Sequence, residues 1–336
     1  MDVLMGMMNL NIVSNEQVTQ AVDMNDAIEI IRIAFIEFYQ GKADLPVRIH
    51  IEVDEKQAQT LIMPAYLKAS GALGTKIISI FPENQYTDLP TIHALMIVID
   101  SHTGQPQAIM DAGRLTALRT GAVSGVATDL LARKDARVAA IFGAGVQGRT
   151  QLQAVCTVRS IEKALVYDTD PGAAQNYVED MQALSPGPSD IEIASSPDEA
   201  LVDADIICTA TTSLQPVFKD ESLKKGSHIN AIGSFTPRMQ EIPQETVVRS
   251  KIVVDSLTAS LAETGDLIIP LEKKLISRKD IHGELGEIAS GSRVGRETDE
   301  EITLFKSVGL AIQDVALAAH ILQQVREHHM GCTVDL

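Results

Sequence analysis

The segment Val138-Ala-Ala-Ile-Phe-Gly-Ala-Gly-Val-Gln-Gly148 constrains this chain more than any other. An apolar strand runs straight into G-x-G-x-x-G, and a second apolar strand, Ala164-Leu-Val-Tyr-Asp168, ends on an acid twenty residues past the last glycine. Each part has a physical task in binding a dinucleotide. Gly143 permits the tight turn, Gly145 lets the backbone approach a pyrophosphate, and Gly148 allows close packing of helix on strand. Ala144, Val146 and Gln147 complete the turn, and the helix N-terminus presents free N–H groups to negative charge. Asp168 is positioned to accept hydrogen bonds from the adenosine ribose hydroxyls. The glycine pattern alone would fit any structural turn of an α/β domain. Strand, helix and acid at this offset make it a dinucleotide site. Asp168 would also repel a 2′-phosphate, and Thr169-Asp170-Pro171 supplies no Arg or Lys to neutralise one. The cofactor reading is therefore NAD(H) ahead of NADP(H).

With 336 residues the chain can build two domains with proper cores. The net charge of −17, spread without a tail, argues against a nucleic-acid or anionic-membrane partner. Cys156, Cys208 and Cys332 form no CxxC pair, which fits reduced thiols in a cytoplasmic protein. Met1–Leu10 is apolar but lacks a basic flank and a cleavage site, and reads as the start of the fold, not a signal peptide. No apolar run approaches the length of a membrane span.

Asp23, with Asp26 three residues on, caps a helix whose Ile28, Ile31, Ala34, Phe35 and Phe38 share one face. Strands then read at Val47–Val53, Thr60–Met63, Gly74–Ile80, Ile92–Ile99 and Pro106–Asp111, an antiparallel, mostly β unit. A helix from Leu115 to Leu131 leads onward. Strands near 138–142, 164–168, 191–194, 205–209, 228–232 and 251–255 alternate with helical stretches or short connections, the pattern of a doubly wound parallel sheet. Glu301–Phe305 is strand-like, and Val308–Arg326 reads as a long apolar helix returning to the first domain. The fold class is α/β: a Rossmann domain over 119–307 beside a β-rich domain built from 1–118 with 308–336.

Three basic residues interrupt apolar patterns: Arg48, Lys76 and Arg119, the last followed by Thr120 and small residues. Each alone reads as a solvated edge or a structural salt bridge. Together they would form a positive pocket, two arginines clamping a carboxylate and a lysine orienting or protonating a carbonyl or imine. Two segments at strand ends, Cys208-Thr-Ala-Thr-Thr-Ser213 and His228–Glu241, belong at the carboxyl edge of the parallel sheet where ligands bind, or are ordinary turns. They contribute Thr209, Ala210 and Thr211, and Ser234, Phe235 and Thr236. His328 and His329 near Cys332 have poor spacing for a metal, and no metal is expected. Hydrolase motifs are missing.

These blocks resemble the ornithine cyclodeaminase/μ-crystallin family of NAD(P)-dependent proteins. The resemblance rests on Gly74-Thr-Lys76, Asp100–Pro106, Met110-Asp111 through Leu115–Thr120, Gly143–Gly148, Asn230–Ser234 and Phe305–Asp314, in family order along most of the chain. It implies a Rossmann domain joined to a β-rich domain that forms homodimers by packing sheets from two subunits. It further implies that Arg48 and Arg119 hold a substrate carboxylate, that Lys76 sits at the reacting centre, and that Thr91 and Ser307 lie near the nicotinamide. Ornithine cyclodeaminases carry an acid where this chain, aligned on Pro237, has Phe235, and a glutamate shortly before the position of Met63-Pro64, where Leu61 and Ile62 stand here. A pocket without both acids pairs poorly with a second amine and suits an uncharged hydrocarbon ring. The expected activity is reduction of a cyclic ketimine such as Δ1-pyrroline-2-carboxylate or its six-membered homologue. In it Phe235 packs on the ring, and Lys76, with Ser234 or Thr236 through water, manages the imine proton. His93 is expected as a further polar contact, or as a satisfied strand histidine. The rival readings are an alanine dehydrogenase, an ornithine cyclodeaminase, and a μ-crystallin-type binding protein without relevant catalysis.

Overall fold

The computed structural model describes residues 9–335, apart from the side chain of Gln85. Residues 1–8 of the apolar start lie outside the described residues. In chain order the elements are β1 (Asn9–Val13), α1 (Asn15–Ala21), α2 (Met24–Tyr39), β2 (Ala43–Asp44), β3 (Ile49–Val53), β4 (Ala58–Leu67), β5 (Leu73–Ile80), β6 (Ile92–Ile99), β7 (Pro106–Asp111) and α3 (Ala112–Leu131). There follow β8 (Val138–Phe142), α4 (Val146–Val158), β9 (Lys163–Tyr167), α5 (Pro171–Met181), β10 (Asp190–Ile193), α6 (Pro197–Leu201), β11 (Ile206–Thr209), β12 (His228–Ala231) and α7 (Gln244–Arg249). The chain closes with β13 (Lys251–Val254), α8 (Leu257–Glu263), α9 (Gly265–Glu272), β14 (Ile281–Glu284), α10 (Leu285–Ala289), β15 (Thr303–Lys306), α11 (Ala311–Glu327) and β16 (Cys332–Asp335). It divides into two compact units, one of residues up to Arg119 with Leu310 onward, the other of Thr120–Gly309.

The first unit is a sheet in the order β16-β1-β7-β6-β5-β4-β2, with β3 also paired to β4. It is mixed rather than antiparallel throughout, because β1 runs parallel to β7. The pleat gives the sheet two unlike faces. Lys76 lies opposite Met63 on β4 and Met96 on β6, so these share one face with Leu61, Val98 and Met110. Helices α2 and α11 pack on this unit's strands and on each other, burying Ile28, Ile31 and Phe35 of α2 and Ile312, Val315 and Ile321 of α11. Asp23 caps α2 by accepting from the Asp26 N–H at 2.9 Å, as the spacing predicts. The other face carries Ile49, Ile51, Ile62, Ile77, Leu95, Ile97 and Ile109. Ile49, Ile51 and Leu95 stay about half exposed at 53%, 48% and 50%.

Of the boundaries that differ from the sequence reading, such as the longer β4 and the later start of α11, two have identifiable reasons. β3 starts at Ile49, so Arg48 precedes the strand instead of interrupting it; Pro46 cannot donate to a ladder, and Val47 is 83% exposed. Helix α3 begins at Ala112, three residues early, because the Asp111 carboxylate accepts from the N–H groups of Gly113 and Arg114.

The second unit is an eight-stranded parallel sheet in the order β10-β9-β8-β11-β12-β15-β13-β14. Strands buried on both faces need apolar residues in runs, not alternation. Ile141 and Phe142 accordingly enter separate cores, one with Leu152, Val155 and Val166, the other with Ile207, Ile229 and Leu304. β15, far along the chain, inserts between β12 and β13. The strand order reverses between β8 and β11, the switch point where such sheets take a dinucleotide.

Candidate active site

The glycine turn of the second unit has the shape its sequence requires. Gly143 adopts φ +101, and a β-carbon there would strike the Ala210 carbonyl. A β-carbon on Gly148 would collide with the Gly143 carbonyl oxygen. Gly145 caps α4 without a side chain, and the space beside its α-carbon is open. The first amides of α4, from the exposed Val146 and the half-buried Gln147, therefore face an unobstructed approach for an anion. The buried Gln147 Oε1 accepts no hydrogen bond among the described residues. Asp168 holds the turn as well as facing it: one oxygen accepts from the Ala144 N–H at 2.7 Å and the other from the Asp170 N–H at 2.9 Å. These features fit a dinucleotide.

Several hydroxyls expected at a ligand are instead committed to the protein. Thr209, fully buried, donates to Glu241 at 2.9 Å. Ser307 donates to Asp255 at 2.8 Å, and Asp255 also accepts the N–H groups of Val308 and Gly309. Ser234, also fully buried, donates to the Met239 carbonyl at 2.6 Å and shares a hydrogen with Thr264. Its assignment to the imine proton is thus corrected: the hydroxyl is used to shape its own loop. The next residues differ, Phe235 being 38% exposed and Thr236 half buried. Thr211 gives both its N–H and its hydroxyl to Glu241, the Ala210 N–H continues the strand ladder to Phe142, and the Thr120 carbonyl accepts from Gln151.

In the first unit, Lys76 is 1% exposed on the helix-covered face of the sheet. Its ammonium donates to Asp314 Oδ1 at 2.9 Å and to Thr116 at 3.4 Å. Arg119 approaches the same carboxylate oxygen at 3.3 Å and donates to Gln313 at 2.6 Å. Burial lowers the Lys76 pKa to about 8; Asp314 opposes the shift, and the charges of Arg119 and Arg48 add to it. Lys76 and Arg119 thus share one buried carboxylate, and the charge of Arg48 also reaches Lys76. Asp314 Oδ2 is buried and accepts no hydrogen bond among the described residues. Leu61, on the same face as Lys76, is buried and apolar.

His93 is a correction. It lies opposite Ser79, three residues from the partner of Lys76, so strand alternation turns it to the exposed face of the sheet. Thr91 precedes β6, and its carbonyl accepts from Phe81. His328, His329 and Cys332 are all exposed. The sequence reading missed Asp314, Gln313 and Glu241. A charged residue inside an apolar helix was the available signal for Asp314, the same test that singled out Lys76.

Comparison with known proteins agrees with this geometry. The family model for the ornithine cyclodeaminase/mu-crystallin family matches residues 8–329. A Δ1-pyrroline-2-carboxylate reductase of Bacillus cereus is 40% identical over 97% of this chain and 99% of its own length. The structure of the Thermococcus litoralis Δ1-pyrroline-2-carboxylate reductase, in complex with NADH and L-proline, superposes with a TM-score of 0.93 at 45% identity, covering 96% of this chain and all of that one (100%). An archaeal alanine dehydrogenase dimer with bound NAD gives 0.91 at 36% identity, covering 97% and 99%. With a family model spanning nearly its whole length, this chain belongs to the ornithine cyclodeaminase/mu-crystallin family.

Proposed function

We propose that this protein reduces a small cyclic imino acid, Δ1-pyrroline-2-carboxylate or its six-membered homologue, to the cyclic amino acid with NADH. The observation that carries the reading is the buried Lys76, paired with Asp314 and crowded by Arg119, on a sheet face where Leu61 offers no second acid. NADH, held by the glycine turn, the α4 N-terminus and Asp168, would supply hydride to the imine carbon. Arg48 and Arg119 hold the substrate carboxylate, with Arg119 kept in place by Gln313 and Asp314. Lys76, with a pKa near 8, is largely an ammonium at neutral pH and gives its proton to the imine nitrogen as hydride arrives. It then recovers a proton from solvent. Two cations beside the carboxylate and a third at the nitrogen supply orientation and electrostatic stabilisation in a water-poor site.

By this reading the first unit holds the imino acid and the second the cofactor. The half-exposed face of Ile49, Ile51 and Leu95 supports a homodimer through sheet packing, because such an apolar patch is rarely left to water. The reduced cysteines fit a cytoplasmic enzyme. Among the described residues no helix is long and apolar enough to cross a membrane.

The test is NADH oxidation with Δ1-pyrroline-2-carboxylate, run beside pyruvate plus ammonia. Oxidation with the cyclic imine supports the proposal. Oxidation with pyruvate and ammonia alone would make the protein an amino-acid dehydrogenase, and proline formation from ornithine with NAD⁺ would make it a cyclodeaminase.

A further inference from the structure

Glu241 is fully buried and lies outside the glycine turn, yet it bonds two separate loops at the carboxyl edge of the parallel sheet. Oε1 accepts from the Thr211 N–H at 2.6 Å and the Thr211 hydroxyl at 2.8 Å. Oε2 accepts from the Thr209 hydroxyl at 2.9 Å and from the N–H groups of Gly233 and Ser234 at 2.8 and 3.1 Å. The first loop follows β11 and the second follows β12. Backbone N–H groups can only donate, so both oxygens must act as acceptors.

The carboxylate is itself anchored. The N–H groups of Glu241 and Ile242 donate to Asp266, whose other oxygen takes the buried Lys306 ammonium at 2.9 Å. The loops it joins are tightly fitted. Ala210 abuts Gly143 of the glycine turn, and Gly233 has no room for a β-carbon against Thr211. In sheets of this strand order the first half, here β8, β9 and β10, takes the adenosine side of a dinucleotide. The second half, beginning with β11 and β12, takes the other nucleotide.

We propose that Glu241 is a positioning residue that fixes the two loops receiving the nicotinamide half of the cofactor, while Asp168 and the glycine turn serve the adenosine and pyrophosphate half independently. The proposal rests on the reading of this unit as the NAD(H) site. It accounts for the hydroxyls of Thr209 and Thr211, which face Glu241 rather than open space.

Glu241→Gln is nearly isosteric, but whichever way the amide points, its NH₂ opposes a backbone N–H. The experiment compares binding of NADH and of ADP-ribose, which lacks nicotinamide, by calorimetry on the full chain. The expected result is NADH affinity lower by about tenfold, with ADP-ribose unchanged within about twofold. A general structural role would weaken both ligands together, and either that or no change in either overturns the proposal. Should E241Q fail to fold, Thr211→Val, which removes one hydroxyl bond, decides. Selective weakening of NADH supports the proposal, and unchanged NADH affinity overturns it. If wild-type protein binds NADH but does not reduce the imine, the proposed activity alone fails, since the binding comparison needs no turnover. If wild type binds neither ligand, the NAD(H) reading and this proposal fall together.

Discussion

Replacing Asp314 with asparagine should move the pH limit of catalysis. In the native site the Asp314 carboxylate lies 2.9 Å from the Lys76 ammonium and opposes the effect of burial, leaving the lysine near pKa 8. At that distance an effective dielectric constant of about 20 gives roughly 6 kcal/mol of attraction, the equivalent of about four pKa units. The asparagine carbonyl keeps a hydrogen bond to the ammonium, and relaxation returns part of the rest, so a fall of about two units is expected. The sign follows from the chemistry: the ammonium is the proton donor, so reduction proceeds below the lysine pKa and fails above it. Plotted against pH, kcat/KM for the imine should decline above about 8 in the native enzyme and above about 6 in D314N. Stability should drop too, by about 3–5 kcal/mol, because a buried pair loses one partner. A basic limb that stays near pH 8 in a folded D314N protein would refute Lys76 as the titrating donor.

Arg48→Ala should raise KM for the imino acid by about 10–100-fold while leaving NADH affinity intact, as steady-state kinetics and a direct NADH titration would check. Gly148→Ala forces a β-carbon into the Gly143 carbonyl, so thermal unfolding should shift down by several degrees and NADH binding should be lost. Leu95→Glu places a charge on the half-exposed sheet face. Analytical ultracentrifugation should find a dimer for the native chain and a monomer for this variant, and a dimer in both would remove that face as the interface.

What the sequence disclosed depended on whether a residue's task is local. Gly143, Gly145 and Gly148 act through their own backbone, and β8 and β9 are unbroken apolar runs, so the turn and its parallel sheet were legible. The cations at 48, 76 and 119 stood out because charge interrupts an apolar pattern. The carboxylate that Lys76 and Arg119 share did not, since Asp314 is separated from Lys76 by most of the chain and meets it only after α11 packs on the sheet. His93 failed for a related reason: residue type suggested a ligand contact, but the face it occupies is set by register with β5. The partners of the Thr209 and Ser234 hydroxyls, Glu241 for one and the Met239 carbonyl with Thr264 for the other, were not legible, because a hydroxyl at a strand end looks the same whether it faces a ligand or its own loop. β1 and β16 are short, β16 lies at the edge of the sheet with β1 beside it, and neighbours supply their ordering.

The most direct test follows the hydride itself. NADH carrying deuterium at the transferred C4 position is mixed with Δ1-pyrroline-2-carboxylate and the enzyme, and the product is read by mass spectrometry and NMR. The account predicts proline with one deuterium at C2, formed in step with the NADH consumed. Proline without label, or NADH consumed without proline, would contradict it.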